Sequence, residues 1–204
     1  MISLKKIVTV GILCLSLSSA VQSQDKKVTL DGKPFQLMAG VALELGGEKF
    51  AEFLFDDGST QSMRTAQGGT LYVGAQYQFP SAPNFLIRGS VGIKYVTTKA
   101  DNAHVRLTRV PLVFTANYML APKWRFGAGI SMHTGIKFNG DGVINNFNFK
   151  SASGPTFELA YSNFGLTYTA MTYKDLANRS YGANAIGLNM SFTFKGKKTI
   201  TTVQ

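Results

Sequence analysis

Cysteine is all but missing: of 204 residues only Cys14 is one. A lone thiol closes no disulfide within the chain. Long apolar runs are missing too. Ile7–Leu17 covers eleven residues, about half of the roughly 20 that a bilayer-crossing helix needs, so no helical anchor is expected. Beyond it no helical period survives, and helices are not expected to build the fold. Acidic residues are scarce, 11 against 21 Lys and Arg. The basic excess is nevertheless spread out, with no stripe of the kind that tracks a phosphate backbone. The only local cluster, Lys195, Lys197 and Lys198, reads as a solvated tail, and nucleic acid is not expected as a partner.

What is present at the start is a three-part leader. Lys5 and Lys6 precede the apolar run, and Ser18, Ser19 and Ala20 follow it, the layout of a secretory signal peptide. Residues 1–23 are assigned to it, with cleavage after Ser23 or, alternatively, after Ala20. Leu13 argues against a lipoprotein, because lipid attachment at Cys14 wants a small residue just before it. Cleavage would remove the only cysteine, which suits a chain that crosses an oxidising periplasm unfolded. It would also leave 19 basic residues against 11 acidic ones, a net charge of +8. Residues 24–34 are expected to be an N-terminal periplasmic segment, 35–195 the folded domain and 196–204 a C-terminal tail.

Within 35–195 a two-residue period recurs eight times, and such a period means that the two faces of a strand differ. Phe35, Leu37, Ala39, Val41, Leu43 and Leu45 share one face, against Gln36, Gly40, Ala42, Glu44 and Gly46. Further segments centre on residues 71–79, 85–95, 110–118, 124–132, 157–161, 164–170 and 186–194. In the fourth, Val105 and Leu107 lie out of phase with Val110, Leu112 and Phe114, which predicts a β-bulge near Thr108 and Arg109. Pro111 beside it forfeits one ladder hydrogen bond.

A soluble sandwich would also alternate, and three features separate it from a membrane barrel. Tight turns at Pro80–Asn84, Met119–Lys123 and Ser162–Asn163 alternate with long polar links at Gly46–Ala66, Thr97–His104, Asn139–Gly154 and Lys174–Gly182. That is the pattern of an up-and-down barrel with periplasmic turns and outer loops. Aromatic residues gather at the short-turn ends of the apolar faces: Phe35, Tyr77, Phe79, Phe85, Tyr118, Trp124, Phe126, Tyr161, Phe164, Phe192 and Phe194. A girdle at headgroup level requires this placement, and a sandwich core does not. Tyr95, Phe138 and Phe157 form a sparser set toward the loops. The opposite face holds glycines, small hydroxyls and the charges Glu44, Arg88, Lys94, Arg109, Arg125, His133 and Glu158, which suits a cramped interior. The fold class expected is an all-β, eight-stranded antiparallel transmembrane β-barrel in the outer membrane of a Gram-negative bacterium.

The stretch Val110-Pro111-Leu112-Val113-Phe114-Thr115-Ala116-Asn117-Tyr118, followed by Trp124-Arg125-Phe126-Gly127-Ala128-Gly129-Ile130, resembles the fourth-to-fifth-strand hairpin of small OmpA/OmpX-like, "porin family" outer-membrane barrels. Gly187, Met190, Phe192 and Phe194 resemble the terminal signal by which such barrels are recognised for assembly. Here ten residues, Lys195–Gln204, follow that signal, where family members often end on the aromatic. So short a tail leaves no room for a peptidoglycan-binding domain, and that OmpA-type role is not expected. The resemblance implies contact with outer-membrane lipid and lipopolysaccharide, handling by the assembly machinery, a monomer, and no cofactor.

Eight strands leave an interior that side chains fill, and charges sealed there must be paired or wetted. Glu44 and Glu158 are therefore expected to pair with Arg88, Arg109 or Arg125 and plug the lumen. The alternative is a hydrated, narrow channel for ions or small solutes. Ser131, His133 and Glu158 share a face and suggest a nucleophile, base and orienting carboxylate, as in a lipid A-modifying hydrolase. They lack the His-x-Ser order of such enzymes, however, and a non-enzymatic anchor with interacting loops is the favoured reading. Asp141 and its neighbouring asparagines match no calcium loop, and no metal site is assigned. In the first link Phe50, Phe53, Leu54 and Phe55 extend the hairpin or present an apolar contact surface, strand extension being the simpler account.

Overall fold

Alternating apolar and polar side chains satisfy a pleated strand whose two faces meet different surroundings, and the chain uses that pattern almost throughout. The computed structural model describes Val28 and residues 33–54, 60–100, 103–142 and 144–194. The segments assigned to signal peptide and tail lie outside the described residues. Among those residues the strands are β1 Phe35–Gly46, β2 Lys49–Leu54, β3 Thr60–Arg64, β4 Gly68–Gln78, β5 Phe85–Ala100, β6 Ala103–Ala121 and β7 Trp124–Gly140. They continue as β8 Ile144–Asn148, β9 Ala152–Tyr161, β10 Phe164–Thr169, β11 Thr172–Lys174, β12 Ser180–Gly182 and β13 Ala185–Phe194.

Eight of them are the staves of a closed ring in the order β1-β4-β5-β6-β7-β9-β10-β13, every pair antiparallel. The ring shuts where β1 meets β13, with Leu37 opposite Phe194 and Gly46 opposite Ala185. Closure leaves no stave with an unpaired edge. These are the eight segments carrying the two-residue period.

The burial pattern is inverted relative to a water-soluble domain. Leu43 and Leu45 on the outer wall are 70% exposed and Leu71 is 69% exposed, while Lys94 and Arg109 inside are 0% exposed. At the turn end, the pairings Phe35 with Tyr77, Phe85 with Tyr118, Tyr118 with Phe126, and Trp124 and Phe164 with Tyr161 set aromatic rings level on neighbouring staves. Ring centroids lie 4.9 Å apart for Phe85–Tyr118 and 5.0 Å apart for Trp124–Tyr161. Phe79, Phe192 and Phe194 complete the exposed set, and Tyr77 is half-buried against Phe79.

The bulge lies opposite the strand on which the sequence pattern seemed to slip. β6 pairs regularly with β5 across Lys94 and Arg109, so Val105, Leu107, Arg109 and Thr115 all face inward. The extra residue belongs to β7, where Gly135 and Ile136 together oppose Arg109, and Gly135 takes φ 56°. A glycine in that left-handed region is the usual device for such a bulge. Its effect is to invert β7: His133 points inward below it, and Ile136 and Phe138 point inward above it. Phe138 therefore does not belong to an outer aromatic set, as its odd-even position suggested.

Above the bulge the interior becomes an ordinary apolar core. The long links are not simple loops, because β5 and β6 run up through one of them and β2, β3, β8, β11 and β12 occupy the others. Phe50 stands edge-on to Phe138 at 5.3 Å and to Phe149 at 6.0 Å. Val105, Leu107, Ile136, Phe138, Phe149, Met171 and Tyr173 pack into one cluster. Phe50 thus extends a hairpin and turns its ring inward; Phe53 to Asp57 lie wholly or in their side chains outside the described residues.

Candidate functional site: the ionic lumen and its cap

Strand alternation aims the inward side chains of eight staves at one axis, so residues far apart in sequence meet across it. The lower layer centres on Glu158 of β9. Arg88 Nη1 donates to its Oε2 at 3.1 Å and Arg125 Nη2 donates to the same oxygen at 3.0 Å. Asn189 Nδ2 donates to Oε1 at 2.9 Å, and Arg88 reaches on to Ser191 Oγ at 3.1 Å. One carboxylate thus holds two buried guanidiniums against β5, β7 and β13. The layer needs glycine beside it: a Cβ on Gly165 would sit 2.8 Å from Glu158 Oε1 and 2.9 Å from Asn189.

Higher up, Lys94 Nζ lies 2.5 Å from Glu44 Oε2. Glu44 therefore pairs with a lysine and not with an arginine. Arg109 is fully buried, and among the described residues no carboxylate lies within ion-pair distance of it. Its Nη1 and Nη2 donate to the backbone carbonyls of Thr65 and Gln67, and Nη1 also reaches the Tyr173 hydroxyl at 3.4 Å. His133 Nδ1 shares a hydrogen bond with the same hydroxyl. This layer fastens the links that precede β4 and follow β10 into the barrel mouth. Thr65 Oγ1 also donates to the Gly182 carbonyl at 2.6 Å, and the Glu48 amide donates to that carbonyl at 2.7 Å. Thr65, Gln67 and Tyr173 carry the layer, and only Tyr173 had any sequence signal, as an aromatic set between polar neighbours.

Between the layers lies a cavity of about 110 Å³ lined by Glu44, Tyr72, Arg88, Ser131, His133 and Glu158 among others, room for a few water molecules. Ser131, His133 and Glu158 do share the inner face, yet they do not form a relay. Glu158 pairs with Gly127, and Ser131 with Gly154, a four-residue offset worth roughly 13 Å along a strand. Glu158 is also committed to two arginines and His133 to Tyr173. Among the described residues no three His, Cys, Asp or Glu side chains gather closely enough to hold a metal ion. Asp141 is a turn residue at φ 51° whose amide donates to Asn139 Oδ1 at 2.9 Å.

Two solved structures of the attachment invasion locus protein Ail of Yersinia pestis resemble this chain. One matches at 11% identity and a TM-score of 0.42. The other, in complex with the heparin analogue sucrose octasulfate, matches at 13% and 0.40. Each alignment covers 80% of this chain and 100% of that one. No protein-family model and no curated protein matches the chain.

Outside the barrel wall, the turn between β11 and β12 carries its own ion pair, Arg179 Nε to Asp175 Oδ2 at 2.7 Å. Burial raises the Asp175 pKa, but hydrogen bonds from the Arg179 side chain and backbone outweigh it and hold the carboxyl below its ordinary value.

Proposed function

We propose that the chain is an outer-membrane β-barrel of a Gram-negative bacterium: a non-enzymatic, monomeric anchor whose lumen is closed and whose cap presents surfaces to envelope or external partners. The observation that carries this reading is the inversion of burial. The staves expose leucine, phenylalanine and valine outward, while arginine, lysine and glutamate are sealed within, along strands of six to nineteen residues that rise about 3.3 Å per residue. Water would penalise that arrangement, whereas hydrocarbon outside and an ion-paired interior satisfy both faces. Two interior layers of hydrogen-bonded side chains, with an apolar core above them, support a plugged lumen over a conducting one.

Fractionation tests the membrane assignment. The mature protein should sediment with outer membranes and run on unboiled gels at a mobility that shifts on heating; a soluble periplasmic species with no shift would overturn the reading. In planar bilayers the closed lumen should give no steady conductance steps. Ser131→Ala with His133→Ala should leave lipid A unchanged by mass spectrometry, and a changed lipid A would make the chain an enzyme.

A further inference from the structure

The charges inside the lumen do not balance. Arg88, Lys94, Arg109 and Arg125 are buried there, and among the described residues only Glu44 and Glu158 oppose them. Even with His133 neutral, two positive charges are left over, one in each layer. Below, Glu158 answers two guanidiniums. Above, Glu44 answers Lys94, while Arg109 rests on the uncharged carbonyls of Thr65 and Gln67. Such hydrogen bonds satisfy donors without cancelling charge, and uncompensated charge in an interior is costly.

The cavity of about 110 Å³ lies between these two layers, with Glu44 and Arg88 both in its lining. Arg88 and Lys94 are six residues apart on β5, roughly 20 Å along the strand. Ser90 lies between them, level with Val113 of β6 and, through it, with Ser131 of β7. Two buried polar atoms of lining residues, Arg88 Nε and Thr70 Oγ1, have no hydrogen-bond partner among the described residues. Arg88 has committed Nη1 to Glu158 and Nη2 to Ser191, so it cannot offer the parallel pair of N–H groups that grips a phosphate or carboxylate. Single donors on separate strands suit a spherical ion instead, and the volume suits one little larger than water with a few waters beside it. The Glu158 carboxylate also lines the cavity, but both of its oxygens already accept hydrogen bonds, from Arg88, Arg125 and Asn189.

We propose that the cavity between the two ionic layers is a binding site for a monovalent anion of halide size, chloride or bromide, which offsets the positive excess and holds the plug closed. The inference rests on the closed lumen of the membrane reading, because only an interior walled off from bulk water makes the excess charge costly. It makes the anion a resident counter-ion of the plug, not a solute passing through it.

The test uses the full mature chain folded in detergent micelles with sodium bromide or, at equal ionic strength, sodium gluconate, whose anion is too large for the cavity. Bromide is measured by X-ray fluorescence after equilibrium dialysis, and stability by the urea midpoint. About one bromide per chain in excess of the buffer is expected, with a higher midpoint in bromide than in gluconate, since an ion held only by the folded lumen must stabilise it. Ser131→Asp places a carboxylate in the cavity and should lose both the bromide and the difference between the salts. Val113→Asp adds the charge from the facing stave and takes its place should the first variant lack the heat shift. Lys137→Gln makes the same change in net charge on the exposed outer face and should keep bromide and salt difference alike. No excess bromide in a parent chain with its heat shift intact would overturn the site and leave the barrel standing. Bromide retained by a folded cavity variant, or a salt difference no larger in the parent than in that variant, would overturn it equally. A chain that stays soluble without detergent and shows no heat shift would remove the membrane reading and the site together.

Discussion

Glu158 is one negative charge between two buried guanidiniums, so its neighbours depend on it more than it depends on either of them. Glu158→Gln keeps the shape and removes the charge, and is expected to cost about 3–5 kcal/mol, the range for unpairing buried ions, read as a fall in the urea midpoint in micelles. A midpoint equal to the parent's would mean that water in the lumen solvates both arginines. Asp175, in the turn between β11 and β12, gives the pH counterpart beyond the staves. Its carboxyl titrates below the ordinary 3.8, so its contribution is complete above that pH and is lost as pH falls through the lower folded value. Hydrogen exchange of residues 172–182 should accelerate in that acid window, and Asp175→Asn should remove the dependence. At this scale the sequence is partly informative. Alternation says which side of a strand Glu44 occupies, but its pairing with Lys94 depends on the stagger between staves, which no local pattern encodes. Arg109 ends on carbonyls of Thr65 and Gln67, and backbone acceptors leave no mark in a residue list.

Among the elements, β7 shows how one residue sets two environments. Gly135 lets the strand turn its inner face from the polar row ending at His133 to the apolar row beginning at Ile136. A Cβ there meets nothing within 4 Å, so Gly135→Ala should cost only its backbone strain, about 1 kcal/mol, measurable as a small drop in the same urea midpoint. Arg109→Met cuts the tie between β6 and the cap; hydrogen exchange at residues 63–67 and 171–174 should rise while the staves stay protected. The eight staves were legible because each repeats its period over five or more residues. Of the cap strands, β2 was anticipated as a strand extension at Phe50, whereas β8, β11 and β12 were not, because β11 and β12 have three residues each and β8 has five, too few to separate from a polar loop. Phe147 and Phe149 alternating with Asn146, Asn148 and Lys150 were the signal available for β8. The bulge was readable in level but not in strand, since Val105 and Leu107 looked out of phase only on the assumption that the interior stays polar to its top.

For the molecule as a whole, Trp124 is the only tryptophan and stands in the turn-end girdle, which makes it a depth gauge. Its emission should be quenched strongly by lipids brominated near the headgroup and weakly by those brominated at the chain end; the reverse order would displace the girdle from the interface. The closure of β1 on β13 reaches into time as well as space. Until Leu37 meets Phe194, both terminal staves carry bare amides and carbonyls that hydrocarbon does not tolerate, and the apolar wall has no solvent suited to it in water. No stable halfway barrel lies between those two conditions. On the proposed membrane reading, zippering the first stave to the last and entering the lipid would therefore be one step, and a chain stopped short of Phe194 would be an adhesive sheet in place of a smaller barrel.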